Sequence, residues 1–556
     1  MSAQALLKRF DIVADQSTNI PALRRLVVDL AVRGKLLPTE ELDMDVQEML
    51  GRISAKVNEL AVAGLLKKQK PLSKIGNDEV PAAYLAHCAF ARLGNIANLQ
   101  KGLTGIQSSL PGDYPLVVTA AERGTCDHFD FDGAAAIIPL VSSTGHGHAS
   151  INRLHYQEGK FALGTILCAV LPFDEQLISA RFLYEYLTAF KEELLVSKMI
   201  GTANVTLTLG KIADVPVPIL APAVQRRVDE LMTLCDQLEA AQQERERRRN
   251  LLAAASLQRL NQPAPDATTK AQREHARFHL RHLPRLTTQP EHIKAMRQTI
   301  LNLAVRGKLV SQSSGDEPTT ELLNRIQKER MQVLKKTFKS SAALPTESNN
   351  ADIRLPDGWT WSRLGDLCIK TGSGSTPAGG KDAYVSAGIP FLRSQNVYDD
   401  GLRLDGVAFI SDATQARMNS TTVKAGDLLL NITGGSIGRC AIVPDSFVIG
   451  NINQHVAIIR LALLESGRFL HSVICSDYFQ KHIFGNQTGA GREGLPKNRM
   501  DEILVPVAPI TEQHRIVAKV DELMALCDQL EAQLTTTQTD SRRLLEAVLE
   551  AALAPA

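Results

Sequence analysis

The chain has 556 residues, 44% of them hydrophobic and 22% charged, a globular balance that excludes wholesale disorder in a length too great for one core. Its longest strongly apolar stretch, Phe161 to Pro172, has 12 residues, well short of the roughly 20 that cross a bilayer. Eight cysteines without a Cys-x-x-Cys pair, and a start at Met1 to Phe10 without the apolar core of a secretory leader, point to a reducing cytoplasm and no membrane. The formal net charge is only +2, little for a protein that would hold nucleic acid through a broad basic surface.

In chain order, residues 1–80 read as helical. Leu30-Ala-Val-Arg-Gly-Lys-Leu36 closes one helix, with Gly34 as its C-terminal cap, and Pro38 to Lys70 is a charged amphipathic helix. Residues 81–220 form a mixed α/β module: strand-like runs in Phe161 to Pro172, a helix over Phe182 to Met199, and a closing strand over Ile212 to Ile219. Residues 221–262 hold one long helix from about Ala223 to Leu260, roughly 55 Å at 1.5 Å per residue. Its apolar seam, Val224, Val228, Leu231, Cys235 and Leu238, is spaced four, three, four, three, as in a coiled coil.

Residues 263–354 combine linker and helix. Asn261–Thr288 and Ser340–Arg354 read as linkers, Leu303 to Leu309 closes a helix at Gly307, and Ser311–Lys339 is a second amphipathic helix. Residues 355–510 form another α/β module, with a strand in Gly426 to Thr433, a helix over Arg468 to Phe484 and a closing strand over Ile503 to Ile510. Residues 511–556 hold a second long helix from Glu512 to Leu553, with the seam Val520, Leu523, Cys527, Leu530 and Leu534. The two seams most simply pack on each other, with both cysteines as small core residues.

The second half repeats the first. Leu30–Leu36 recurs unchanged as Leu303–Leu309, an offset of 273; Phe90–Ile96 aligns with Trp361–Leu367 at 271; Val228–Ala240 matches Val520–Ala532 with one change in thirteen, at 292. Three collinear matches establish a tandem duplication and hence pseudo-two-fold symmetry. The stretches in between, 97–220 and 368–510, are the diverged parts: two fixed frames carry two different inserts. Charge is uneven. Residues 93–220 carry eight Lys and Arg against twelve Asp and Glu, residues 355–510 fourteen against fourteen, and residues 241–300 twelve against five. That last excess reads as a solvated helix face and linker, with contact to phosphate as the alternative.

Catalytic hardware is missing from the sequence. No Gly-Lys pair is followed by Ser or Thr, which excludes a P-loop, and neither His-Glu-x-x-His nor Gly-x-Ser-x-Gly occurs. The Asn/Asp-Pro-Pro-aromatic tetrapeptide of an amino-methyltransferase is likewise missing. Gly489-Ala-Gly-Arg-Glu-Gly494 has the spacing of a dinucleotide fingerprint but lacks the strand before and the helix after it. A metal site at His146, His148 and His155 lacks a supporting carboxylate or thiolate, so no metal is expected.

Glycine-rich polar stretches remain, and their side chains are those that bond base edges and phosphates. In the first module the candidates are Ser142, Ser143, Thr144, His146 and His148, then Lys198, Thr202, Asn204 and Thr206. In the second they are Thr433, Ser436 and Arg439, then Gln487, Arg492 and Lys497. Taken singly, each loop is also compatible with an ordinary tight turn.

The duplicated heptapeptide, the duplicated Val-Asp-Glu-Leu-Met-x-Leu-Cys-Asp-Gln-Leu-Glu-Ala helix and the Thr- and Gly-rich segment before each closing strand together resemble the specificity subunit of type I restriction-modification systems, over essentially the full chain. The resemblance implies two α/β (α+β) target-recognition domains in tandem, separated by long helices that form an antiparallel coiled coil. Each domain would read one half of a split double-stranded DNA site. It further implies a chain without catalysis or cofactor of its own, joined by two modification subunits that carry S-adenosylmethionine and methylate adenine. Restriction subunits using ATP and Mg would translocate and cleave. The competing class is a coiled-coil adaptor whose two modules bind protein or glycan; a stand-alone nuclease would need an acidic metal cluster that the sequence does not offer.

Overall fold

The computed structural model describes residues 19–64, 72–76, 79–81, 84, 88–107, 109–144, 147–202, 204–262, 268–335, 353–379, 383–487 and 494–553. They divide into two units, one taking the chain up to Arg247 together with the residues from Thr537 onward, the other running from Arg248 to Thr536. Among the described residues no helix is long and apolar enough to cross a membrane.

In the first unit, α1 (Ile20–Val32) and α2 (Val46–Val62) precede the module. The heptapeptide ends α1 as the sequence indicates. Gly34 takes φ +65°, the Lys35 amide bonds the Leu30 carbonyl and the Gly34 amide that of Ala31, a Schellman closure that only glycine adopts without strain. The module opens on β1 (Ala89–Arg92) and continues through β2 (Ala97–Lys101), β3 (Tyr114–Val117), β4 (Gly124–Cys126), β5 (Phe131–Asp132), β6 (Ala135–Pro139), β7 (His155–Gln157), β8 (Lys160–Leu163) and β9 (Leu167–Pro172). Then come α3 (Ala180–Ala189), β10 (Pro216–Ile219) and the long helix α4 (Pro222–Asn261).

β1 and β10 pair antiparallel from Ala89↔Ile219 to Arg92↔Pro216, so the module begins and ends at one place, beside α4. One antiparallel sheet has the order β2-β9-β6-β7; a second has the order β4-β3-β8-β5, with β3 and β8 parallel. The two-residue period of β6 explains its unbroken apolar run. Ala136 and Ile138 pack with Phe182 and Leu183 of α3, while Ala135 and Ile137 face Phe131 and Phe161.

The second unit repeats this plan. Three helices lead it: α5 (Thr269–Leu286), α6 (Pro290–Ala304) and α7 (Thr319–Leu334), α6 ending in the same Schellman closure at Gly307, φ +62°. Its strands are β11 (Thr360–Arg363), β12 (Cys368–Ser373), β13 (Tyr384–Val385), β14 (Ile389–Leu392), β15 (Val397–Tyr398), β16 (Gly401–Leu402), β17 (Ala408–Ile410), β18 (Leu428–Asn431), β19 (Cys440–Ile442), β20 (Asn451–Ile452) and β21 (Val456–Leu461). After α8 (Gly467–Ile474) and α9 (Asp477–Gly485), β22 (Leu504–Val507) pairs with β11 and leads into α10 (Ile510–Leu553).

The sheet β12-β21-β18-β19 has the order of β2-β9-β6-β7, and β14 runs parallel to β20 as β3 does to β8. The modules thus share most of a topology beneath diverged sequences and differ at one edge of the second sheet, where β5 lies beside β8 in the first unit and β13 beside β17 in the second. The residues that lengthen the second lie largely between β14 and β17, where the β15–β16 hairpin is inserted, and after β17, where Asp412–Arg417 forms a short helix.

The long helices span 40 and 44 residues, within a residue or two of the sequence reading. Their seams serve the cores of their own units. Val228 is buried with Val224 and Met232 in the first, and Leu231, Cys235 and Leu238 are half-buried. Val520 and Cys527 are buried in the second, with Leu523, Leu530 and Leu534 against them. Each long helix is also tied by a duplicated arginine: Arg24 of α1 reaches Asp236 at 2.6 Å and Glu239 at 3.1 Å, and Arg297 of α6 reaches Asp528 at 2.7 Å and Glu531 at 2.8 Å.

Three sequence expectations need correction. Residues 269–286, read as linker, form α5, because His279, Leu283 and Leu286 bury one face and the helix runs through Pro284 into its last turn. The single helix over Phe182 to Met199 breaks at Phe190, and that over Arg468 to Phe484 breaks at Ser476, whose extended backbone starts α9. The linker 340–354 lies outside the described residues except for Ile353 and Arg354.

Candidate nucleic-acid interface

In each unit the fold brings two separate polar loops side by side. The loop after β6 meets the segment before the closing strand: Val141 and Thr206 form an antiparallel bridge, the Ser142 amide bonds the Val205 carbonyl at 2.9 Å, and the Leu207 amide that of Leu140 at 2.9 Å. After β18 the same contact recurs as a Thr433–Gly494 bridge, with the Leu495 amide on the Ile432 carbonyl at 2.9 Å. Sequence analysis singled out these four stretches; the structure pairs them, two by two, at equivalent positions.

In the first unit, Ser142 folds its own loop, donating to the Thr144 carbonyl at 3.1 Å and to that of His148. Ser143 accepts from the Asn152 amide at 3.0 Å. Thr144 and His148 are exposed, as are Thr202 and Asn204 across from them. The approach is close enough that a Cβ on Gly147, φ +80°, would lie 2.4 Å from the Thr202 carbonyl oxygen. Thr206 is half-buried and bonds Ile200 through its backbone. Lys198, in a short 3-10 turn, is half-buried, and its charge helps hold the Glu79 carboxyl down at about 2, chiefly the work of hydrogen bonds from Arg92. His146 lies outside the described residues.

In the second unit a chain of side-chain bonds crosses three segments distant in sequence. Thr376 donates to Gln454 Oε1 at 2.7 Å, Gln454 Nε2 meets His455 Nε2 at 3.1 Å, and His455 Nδ1 meets Thr433 Oγ1. With the Gln454 oxygen accepting from Thr376, its amide donates to His455 Nε2. Nδ1 then carries the imidazole proton and donates to Thr433, whose own hydroxyl hydrogen is left to point elsewhere. Ser436 accepts from Asn431 Nδ2 at 3.1 Å, which fixes the turn. The Arg439 guanidinium lies 4.6 Å from the centre of the Tyr398 ring, and that of Arg403 lies 5.1 Å from the same ring. Gln487 is half-buried; Lys497 is exposed and paired with Asp501; Arg492 lies outside the described residues.

Sequence reasoning missed Thr376, Tyr398, Gln454 and His455. Tyr398 belongs to the inserted hairpin, so the jump in repeat offset was its signal; the polar run Asn451-Ile-Asn-Gln-His455 was the signal for the other pair. It also missed an apolar rim in the first unit. Leu103 is 71% and Leu110 64% exposed, and Phe129, over which Lys160 lies at 4.8 Å, is exposed as well. His155 lies apart from the polar loop that holds His148. It is buried in β7, takes a 3.0 Å contact from Arg123, and burial with that neighbouring cation lowers its pKa to about 4. Among the described residues the one group with metal-ligand types in reach is Cys126, Asp127 and His128, three consecutive residues whose atoms already contact one another.

Residues 356–537 match the family described as type I restriction modification DNA specificity domain. The chain is 27% identical over 574 residues to the EcoAI specificity subunit of Escherichia coli, covering 96% of this chain and 94% of that one. It is 27% identical over 578 residues to the EcoEI specificity subunit of the same organism, with the same coverage. Among solved structures, the HsdS subunit from Thermoanaerobacter tengcongensis aligns over 84% of this chain and 96% of its own, at 16% identity and a TM-score of 0.35. The second half thus carries a match to the type I specificity domain, and the duplicated chain is similar over nearly its full length to two type I specificity subunits.

Proposed function

We propose that the chain selects the DNA on which partner subunits act, each module reading one half of a split double-stranded target. The observation that carries this reading is the recurrence, at equivalent places in two modules of closely similar topology, of paired polar loops with different side chains. The first module offers Ser, Thr, Asn and His, the second Thr433 and Arg439 with His455 and Tyr398 behind them. A shared scaffold with unlike reading surfaces suits a target whose halves differ in sequence.

The chain performs no methyl transfer or cleavage of its own. Two modification subunits holding S-adenosylmethionine methylate adenine where the chain directs them, and restriction subunits supply ATP- and Mg-dependent cleavage. The test is reconstitution with labelled S-adenosylmethionine and duplex DNA. Label enters adenine only when chain and modification subunit are combined. Methylation by the purified chain alone, or a partner whose methylated sites do not depend on the chain, contradicts the proposal.

A further inference from the structure

α5 stands apart from the rest of the second unit in charge. Its buried face is His279, Leu283 and Leu286. On the opposite face Arg277, Arg281 and Arg285 are all exposed, each four residues from the next, with Lys270 on the same side. At 3.6 residues per turn these positions advance by only about 40° per step and rise about 6 Å, so the guanidinium groups form one stripe. Like charges at this spacing disfavour an isolated helix. Other arginines of the unit are paired, as Arg297 is with Asp528 and Arg325 with Glu465. Among the described residues Arg277, Arg281 and Arg285 have no ion-pair partner.

A second basic region lies on the other side of α5, toward its buried face. Gln272 and Ala276 of α5 border a cavity of about 930 Å³ whose charged lining groups are Arg259, Arg306, Lys308, Arg354 and Lys481, with no Asp or Glu among the described residues that line it. The reading modules, by contrast, carry net charges of zero or below. Duplex DNA presents one phosphate charge per about 1.7 Å of axis, and a protein that binds it neutralises several of them.

We infer that the exposed arginine face of α5 holds DNA phosphates outside the reading loops, adding affinity without sequence preference. This rests on the reading of the chain as DNA-binding. A row of bidentate, permanently charged donors suits successive phosphates and carries no base information.

The test measures binding of the full-length chain to duplexes of different sequence across a potassium chloride series. Arg277→Gln, Arg281→Gln and Arg285→Gln combined should weaken binding to every duplex by the same factor and flatten the slope of log K against log salt by about 2.7, three contacts at roughly 0.9 each. The corresponding triple lysine variant should keep the slope. Circular dichroism confirms that the exposed substitutions leave the fold intact. An unchanged slope overturns the inference, as does an unchanged slope with loss of modification-subunit binding, which would make the stripe a protein-docking face. Absence of any DNA binding by the unsubstituted chain at low salt would instead overturn the proposed function and the inference with it.

Discussion

At the residue scale, the second module shows how a candidate reading group would be prepared. His455 is fixed from both ring nitrogens, so Thr433 is left with a hydroxyl hydrogen to donate, while Tyr398 restrains the Arg439 guanidinium. Arginine is the commonest bidentate partner of guanine. Arg439→Ala should therefore cost about 1–3 kcal/mol in binding to the cognate sequence and little on unrelated DNA; an equal loss on both would assign it to phosphate. His155 gives a pH-dependent prediction. Its pKa of about 4 in the fold lies below the ordinary value of 6.5, so below pH 6.5 the unfolded chain takes up a proton that the fold refuses. Stability is full above pH 6.5 and falls as pH drops to about 4, by up to about 3 kcal/mol. In denaturant titrations His155→Gln should remove that part of the pH dependence, and a variant with the same dependence as the parent would show that other groups cause it. The serines, threonines and Arg439 of the loops were legible in the sequence because glycines punctuate the strands before them. Gln454, Tyr398 and Thr376 were not, because their neighbours come from segments far along the chain.

At the scale of elements, duplication is visible in geometry as well as sequence. Arg24 and Arg297 clamp equivalent carboxylate pairs one turn apart on the two long helices. Each clamp is half-exposed and bridges two carboxylates, and a double-mutant cycle between Arg297 and Asp528 should return roughly 0.5–1 kcal/mol of coupling. A coupling of zero would reduce the recurrence to shared ancestry without energetic weight. The closure of α6 is more demanding: a Cβ at Gly307 would meet Pro356 Cγ at 2.5 Å on a backbone with φ +62°. Gly307→Ala should destabilise the second unit by at least about 1–2 kcal/mol, read from its thermal unfolding. Helix ends and seams were legible because capping and heptad spacing are local signals. α5 was not, since Pro284 and its dense polar composition carry the local signature of a linker, and only burial of His279, Leu283 and Leu286 holds it helical.

At the scale of the molecule, two modules that share most of a topology differ in what they present, and the difference concentrates in the loops after β6 and β18 and in the hairpin inserted after β14. Sequence divergence between residues 97–220 and 368–510 concealed this shared topology, because strands buried on both faces tolerate any apolar set of similar volume. Modularity follows from the closing pairs β1–β10 and β11–β22, which bring each module's ends together on its own long helix. An exchanged module therefore needs no change elsewhere in the chain. The decisive measurement replaces residues 97–210 with the equivalent module of another specificity subunit and maps methylated adenines in a host that carries the chimaera with its modification subunit. The account predicts a split target in which one half-site is new and the other unchanged. A pattern identical to the parent's, or one in which both halves have changed, would contradict it.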